Sequence, residues 1–266
     1  MLRIAIAGAS GRMGKMLIEA VGDAPDMTLA GALDIGTSPA VGSDPMAFLG
    51  KSSGLQVTAD LQQGRQDADV LIDFTRPAAT LAHLAVCRTL GTRMVIGTTG
   101  FTEGERAMIQ DAAREVAIML APNMSVGVNV ALKLIDMATR ALAAGCDIEI
   151  VESHHRDKVD APSGTALKMG EVVAQAQGKR LADIEVHGRH GHTGPRKPGT
   201  VGFSAIRGGD IVGEHTVMFI GAGERIEIAH RSTSRANYAQ GSLRAARFIA
   251  GRSSGLYDMD DVLGLR

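Results

Sequence analysis

The chain of 266 residues has no tryptophan, two tyrosines and six phenylalanines. Aromatics therefore make up 3% of it, too few for the stacking platforms that hold single-stranded nucleic acids. Charge of neither sign prevails: 28 Lys and Arg stand against 29 Asp and Glu, a formal net charge of -1. General electrostatic attraction to nucleic acid or anionic lipid is excluded as a source of affinity, and neither is expected as a partner. Two cysteines, Cys87 and Cys146, cannot build a disulfide framework or a four-cysteine zinc site. Both sit in apolar helical patterns and read as small hydrophobes, with a catalytic thiol as the alternative. No apolar run approaches the roughly 18 residues that span a bilayer. The chain enters a strand-like run at Leu2 without a basic leader, so a cytoplasmic location is expected.

What is present is an ordinary globular composition, 45% hydrophobic and 21% charged, with aliphatics and 13 Met to fill the core. The length predicts about two domains. Strand-like runs at Arg3 to Ala7, Thr28 to Leu33, Asp69 to Phe74, Arg93 to Ile96 and Val116 to Leu120 alternate with amphipathic stretches. The latter include Arg12 to Val21, Pro77 to Leu90 and Thr102 to Arg114. Such βα units predict a parallel sheet covered by helices on both faces. After Asn123 the pattern changes. A helix is predicted over Val126 to Ala144, with Val130, Leu134, Met137 and Ala141 spaced as one face. Beyond Gly199 strands follow one another, and Gly221 to Glu224 join two of them as a hairpin. The predicted architecture is α/β. A Rossmann-type dinucleotide-binding domain covers 1–125 and is completed by 235–266, and a substrate domain of α+β type covers 126–234, its open sheet mostly antiparallel.

The run Gly8-Ala9-Ser10-Gly11-Arg12-Met13-Gly14 leaves a strand and opens a helix. Glycines there let the backbone approach a pyrophosphate and let helix and strand pack closely, with the helix N-terminus facing the negative charge. Asp34 ends the second strand 20 residues after Gly14, where a carboxylate would accept from an adenosine ribose hydroxyl. Its alternative is a solvated strand-end acid. Gly97-Thr98-Thr99 and Ala121-Pro122-Asn123-Met124 follow two further strands and are candidates to touch nicotinamide and its ribose; ordinary turn punctuation is the alternative. Arg76, in the Asp73 to Pro77 loop, meets either cofactor or solvent.

The stretch Glu152 to Thr165 reads as a polar loop fed by a strand over Asp147 to Val151 and followed by a helix. Two imidazoles, two cations and a helix N-terminus suit a carboxylate-bearing substrate that receives a proton. A solvated connection is the bland alternative. No metal site is expected: adjacent residues in an extended chain point oppositely, and His187, His190 and His192 lie in a Gly-rich loop.

Taken together, GASGRMG, IDFTRP, VIGTTGF, APNMSVGVNV and above all ESHHRDKVDAPSGTA resemble the 4-hydroxy-tetrahydrodipicolinate (dihydrodipicolinate) reductase family, as do later segments through GLYDMDDVL. The resemblance covers essentially the whole chain. It implies NADH- or NADPH-dependent reduction of a small cyclic dicarboxylate on the diaminopimelate route to lysine, in homotetramers joined through the second domain's sheet. It implies His154 as proton donor or acceptor and Lys158 as second proton donor or electrostatic stabiliser. His155, Gly164 and Thr165 match substrate-binding positions; Gly8, Ala9, Ser10, Gly11, Arg12, Met13, Asp34, Gly97, Thr98, Thr99 and Ala121 through Met124 match cofactor positions. In one respect the chain departs from the pattern. The family often has an Arg after the strand-end acid, whereas Ile35 follows Asp34, which favours NADH at least as much as NADPH. The alternatives are another two-domain NAD(P) oxidoreductase and a nucleotide-sensing regulator.

Overall fold

The computed structural model describes residues 1–65 and 67–266. Its chain begins with β1 (Leu2–Ala7), α1 (Arg12–Asp23), β2 (Met27–Leu33), β3 (Val70–Asp73), α2 (Pro77–Leu90), β4 (Arg93–Ile96), α3 (Glu103–Ala112) and β5 (Ala117–Leu120). There follow α4 (Val126–Leu142), β6 (Asp147–His154), α5 (Gly164–Ala176), β7 (Glu185–His187), β8 (Val201–Arg207), β9 (Gly213–Ile220) and β10 (Arg225–Ser232). The last elements are α6 (Ala236–Ala250), β11 (Gly255–Tyr257) and α7 (Met259–Leu263). Two compact units result: Met1–Val126 with Ala236–Arg266, and Gly127–Arg235.

Strand alternation sets the layers of the first unit. Ile4 and Ile6 of β1 face Leu17 and Ile18 of α1 and Leu243 and Ile249 of α6. Ala5 and Ala7 face the other way, into the layer formed by Leu84 and Cys87 of α2 and Ile109 of α3. Strands buried on both faces suit a parallel sheet, and the order is β11-β5-β4-β3-β1-β2 with every pairing parallel. Connections reverse direction between β1 and β3, which opens the crevice beyond the strands' carboxyl ends to ligands. The helices start where the sequence says: Pro77 is at the first position of α2. A capping box of Thr102 and Glu105 opens α3.

The second sheet corrects the expectation of a mostly antiparallel one. In the order β10-β9-β6-β8-β7, the pairs β10–β9 and β9–β6 are antiparallel, but β6–β8 and β8–β7 are parallel. The sheet is mixed. The cause is a crossover: the chain leaves β6, passes through α5 and returns beside it in the same direction as β8. The tight hairpin is visible in the sequence, whereas the three-residue β7 is too short to show a period.

The buried side of α4 is not the face over Val130, Leu134 and Met137 that the spacing picks out. Val128, Ala131, Ile135 and Thr139 are buried, while Val130, Leu134 and Met137 are exposed. In a helix this apolar, two stripes share the same spacing, so period identifies the helix but not its inner face. Ala131 and Ile135 pack with Met169 and Val173 of α5 on Ile148 and Ile150 of β6, Val217 and Phe219 of β9, and Phe203 of β8.

Candidate functional site

At the carboxyl end of β1, Gly8 has φ +70, the left-handed turn that redirects the chain into α1. Gly11 donates its N–H to the Gly8 carbonyl at 2.9 Å and occupies the N-cap without any side-chain capping bond. No acid lies in the first helical turn. The N-terminal amides and the helix dipole are thus arranged as an anion site, and a phosphate-bearing cofactor fits it. Gly14 brings helix and loop into contact: a Cβ there would stand 2.1 Å from the Gly8 carbonyl oxygen. Ala9 is buried and donates to the Leu33 carbonyl at 3.0 Å. Asp34, just past β2, accepts from the Ser10 amide and the Ile35 amide, both at 2.8 Å, so it ties the loop to the neighbouring strand end. Met13 is partly buried against the core, and Arg12 and Ile35 are exposed.

The next strand ends extend this edge. Asp73 is fully buried. One of its oxygens accepts from the Thr75 amide at 2.8 Å and hydroxyl at 2.6 Å; the other meets His83 Nδ1 at 2.7 Å. Thr80 Oγ1 donates to the buried Thr98 Oγ1 at 2.9 Å. A Cβ on Gly97 would stand 2.1 Å from the Phe74 ring, so only glycine fits there. Thr99 is exposed, Ala121 donates to the Ile96 carbonyl at 3.1 Å, and Asn123 Oδ1 accepts from the Ser125 amide at 2.9 Å. Pro122 is exposed and Met124 buried. The phosphate loop, Asp34, Gly97 to Thr99 and Ala121 to Met124 therefore share the carboxyl edge of one sheet. The buried Asp73–His83 pair went unread, because His83 lies mid-helix without a motif. Its one signal is a carboxylate closing an otherwise apolar strand.

In the second unit a single sheet face changes character along its length. On β6, Ile148 and Ile150 face the core, and the same face continues as Glu152 and His154. Glu152 and His154 thus belong to the strand, not to the loop expected from the sequence. Across the sheet, Glu152 is in register with His215 and His215 with His230. Glu152 is 1% exposed. Arg207 donates to both its oxygens at 2.7 and 2.8 Å, His154 Nδ1 lies 2.6 Å away, and the Ser163 amide donates at 3.2 Å. Burial pushes its pKa upward, but the hydrogen bonds from Arg207 and His154 prevail and hold the carboxyl below the usual glutamate range.

Beside this pair, His215 sits edge-on to the His154 ring at 5.1 Å, with Nε2 2.9 Å from Ser163 Oγ. Burial, and then the charge of His154, lower its pKa from 6.5 to about 4. The charge of Lys158 lowers it further. The Lys158 ammonium contacts both oxygens of Asp160 at 2.7 and 2.8 Å. Ser163 caps α5 by accepting from the Ala166 amide at 3.2 Å, and Gly164 opens the helix with open space around its Cα. Thr165 follows in the first turn. His155 turns elsewhere, its Nε2 3.5 Å from the Arg235 guanidinium. Arg207, His215 and Arg235 were not singled out from sequence, since they lie some 50 to 80 residues from the loop they meet. For His215 there was a signal: strand alternation aligns it with the inward Val217 and Phe219.

A histidine whose folded pKa lies below its unfolded value costs stability when acidification charges it. The unfolded chain takes up the proton from about pH 6.5 downward, the folded one only near pH 4. Stability should therefore fall across that window by on the order of 3 kcal/mol. The expected result is a melting temperature that drops between pH 6.5 and 4 and drops less in His215→Gln. Equal acid sensitivity of the two proteins would contradict it.

Among the described residues no group of three or more His, Cys, Asp or Glu is placed to hold a metal ion. Burial raises the Cys87 thiol to about 11, unlike a reactive cysteine.

Residues 2–124 match the family described as dihydrodipicolinate reductase, N-terminus, and residues 127–263 that described as dihydrodipicolinate reductase, C-terminus. The chain is 62% identical to the 4-hydroxy-tetrahydrodipicolinate reductase of Herminiimonas arsenicoxydans, over 100% of this chain and 99% of that one. It is 61% identical to that of Burkholderia pseudomallei strain 668, over the whole of both chains. Among solved structures it resembles dipicolinate-bound dihydrodipicolinate reductase from Paenisporosarcina sp. TG-14, with TM-score 0.78, 25% identity and 98% of each chain covered. An amine dehydrogenase from Mycobacterium smegmatis shares the fold alone, with TM-score 0.60 at 11% identity over 96% of this chain and 94% of that one.

Proposed function

Because the chain belongs to the dihydrodipicolinate reductase family, we propose that it reduces its cyclic substrate at the polar end of the second unit's sheet. The reaction converts (2S,4S)-4-hydroxy-2,3,4,5-tetrahydrodipicolinate to tetrahydrodipicolinate in lysine and diaminopimelate biosynthesis. One hydride and one proton enter and one water leaves. Bound NADH or NADPH supplies the hydride. The first unit holds that cofactor through the amides of Gly8 to Met13, Asp34, Gly97 to Thr99 and Ala121 to Met124. In the second, His154 supplies the proton and the Lys158 ammonium balances charge on the doubly anionic ring. The Gly164 amide and Thr165 receive one substrate carboxylate, as a helix N-terminus suits an anion, and His155, which turns toward Arg235, is assigned to the other.

The observation that carries this reading is the arrangement around Glu152. An imidazole, a guanidinium and a helix start meet one buried carboxylate at the end of a sheet face whose other end is core, and the turn that follows carries Lys158. The test is to generate the cyclic substrate enzymatically and follow loss of reduced-cofactor absorbance. Turnover supports the assignment, and its absence with a folded, cofactor-binding protein overturns it.

For cofactor choice, Asp34 carries the argument. Its carboxylate lies beside the Ser10 amide with an exposed aliphatic Ile35 next to it, and a 2′-phosphate would meet a negative charge there. The expected kcat/KM with NADH equals or exceeds that with NADPH. A strong NADPH preference would reject the reading.

Among the described residues no helix is long and apolar enough to cross a membrane. We place the enzyme in the cytoplasm as a homotetramer joined through the second unit's sheet; sedimentation at micromolar concentration tests the assembly.

A further inference from the structure

The role given to His154 leaves open how one ring nitrogen is kept ready to give a proton. We propose that Glu152, clamped by Arg207, is a positioning residue for the reaction. It keeps a hydrogen on His154 Nδ1 and balances the ring's positive charge, so that Nε2 is the atom that delivers the proton. The inference rests on the assignment of His154 as the proton donor.

The geometry is specific. The Glu152 carboxylate receives the fork of Arg207 from β8, the Nδ1 of His154 from its own strand, and the Ser163 amide from the start of α5. An ionised carboxylate can only accept, so the hydrogen in the 2.6 Å contact belongs to the imidazole. The opposite nitrogen is then the working one. Gly213 of β9 passes close to that nitrogen: a Cβ there would lie 3.0 Å from His154 Nε2, so glycine spares the ring that contact. Arg207 does what a lone buried acid needs. Its two donors match the two oxygens, so the carboxylate neither rotates nor takes up a proton.

The groups around the pair come from every packed element. They are Arg207 on β8, His215 on β9, Ser163 at α5, and Lys158 with Asp160 in the turn after β6. His230 on β10 acts at one remove through His215. A purely structural ion pair stapling β6 to β8 would show the same distances, so the test must read catalysis.

Glu152→Gln keeps the shape and removes the charge. The expected kcat falls about 100-fold, within the range of lost proton-transfer assistance, while KM for NADH changes less than twofold. The double variant Glu152→Gln/His154→Ala should be no slower than His154→Ala alone, because both changes act through one ring. A near-normal kcat in Glu152→Gln, a loss that appears in KM and not in kcat, or additive losses in the double variant would overturn the role of Glu152. Normal turnover by His154→Ala would instead reject the donor assignment beneath it. Nitrogen NMR of histidine-labelled wild-type protein needs no variant to fold. Its neutral His154 should carry the hydrogen on Nδ1, and the Nε2–H tautomer would refute the proposal.

Discussion

Replacing His154 with alanine is expected to lower kcat by about 10²–10⁴-fold, the span that a positioned proton donor contributes, with little change in KM for the cyclic substrate. The separation follows from the assigned roles. The carboxylates of the substrate are assigned to the α5 N-terminus and His155, so ground-state binding survives, and what disappears is an interaction of the transition state. Lys158→Ala should be as severe or worse. Its ammonium already contacts Asp160, so its removal leaves the substrate's charge unmatched and an acid next to it. Steady-state kinetics of both variants with saturating NADH check the point. Near-normal turnover by both would move the reaction away from this end of the sheet.

The second large effect concerns packing, and Gly14→Val shows it. Its Cβ would lie 2.1 Å from the Gly8 carbonyl oxygen and 2.8 Å from Ala9 Cα, both backbone atoms that no rotamer change can relieve. Helix α1 must then retreat from the phosphate loop, separating the N-terminal amides from the turn they act with. The expected outcome is destabilisation by about 3 kcal/mol or more and loss of NADH binding at concentrations that saturate the parent. Gly104→Ala in α3 is the control. A Cβ there meets nothing within 4 Å, and an exposed helix gains about 0.5–1 kcal/mol from alanine. Calorimetry and cofactor fluorescence titration separate the two. Tight binding by Gly14→Val would show that the loop is not the cofactor cradle.

These expectations draw unevenly on sequence and structure. The first unit was legible because its devices are local. Strand runs, a glycine turn and Pro77 each announce themselves within a few residues; strand edges moved by one position and helix ends by up to two, while the short β11 and α7 show no such signal. The second unit hides its order in long connections. Val130, Leu134 and Met137 repeat like a buried stripe yet face outward, because Val128, Ala131 and Ile135 repeat just as well. The parallel pairing of β6 with β8 depends on a crossover that no hydrophobic period records. For the site, the residues HHRDK stand out as a cluster, but Arg207 and His215 arrive from other strands. Only the folded sheet shows that Glu152 is a partner and not a solvated acid.

Mounting Glu152 and His154 on β6 has a consequence for how this chain can vary. Strand side chains alternate with a period of two, so inserting one residue between Ile150 and Glu152 would turn both groups to the opposite face and present Val151 and Ser153 in their place. The turn over 156–161 is bound by the same rule, because it carries Lys158 and is tied to the Gly209 carbonyl through the Arg156 amide and to Arg207 through the Asp160 carbonyl. In this protein the strand acts as a ruler, and the count of residues along it decides which side chains reach the site.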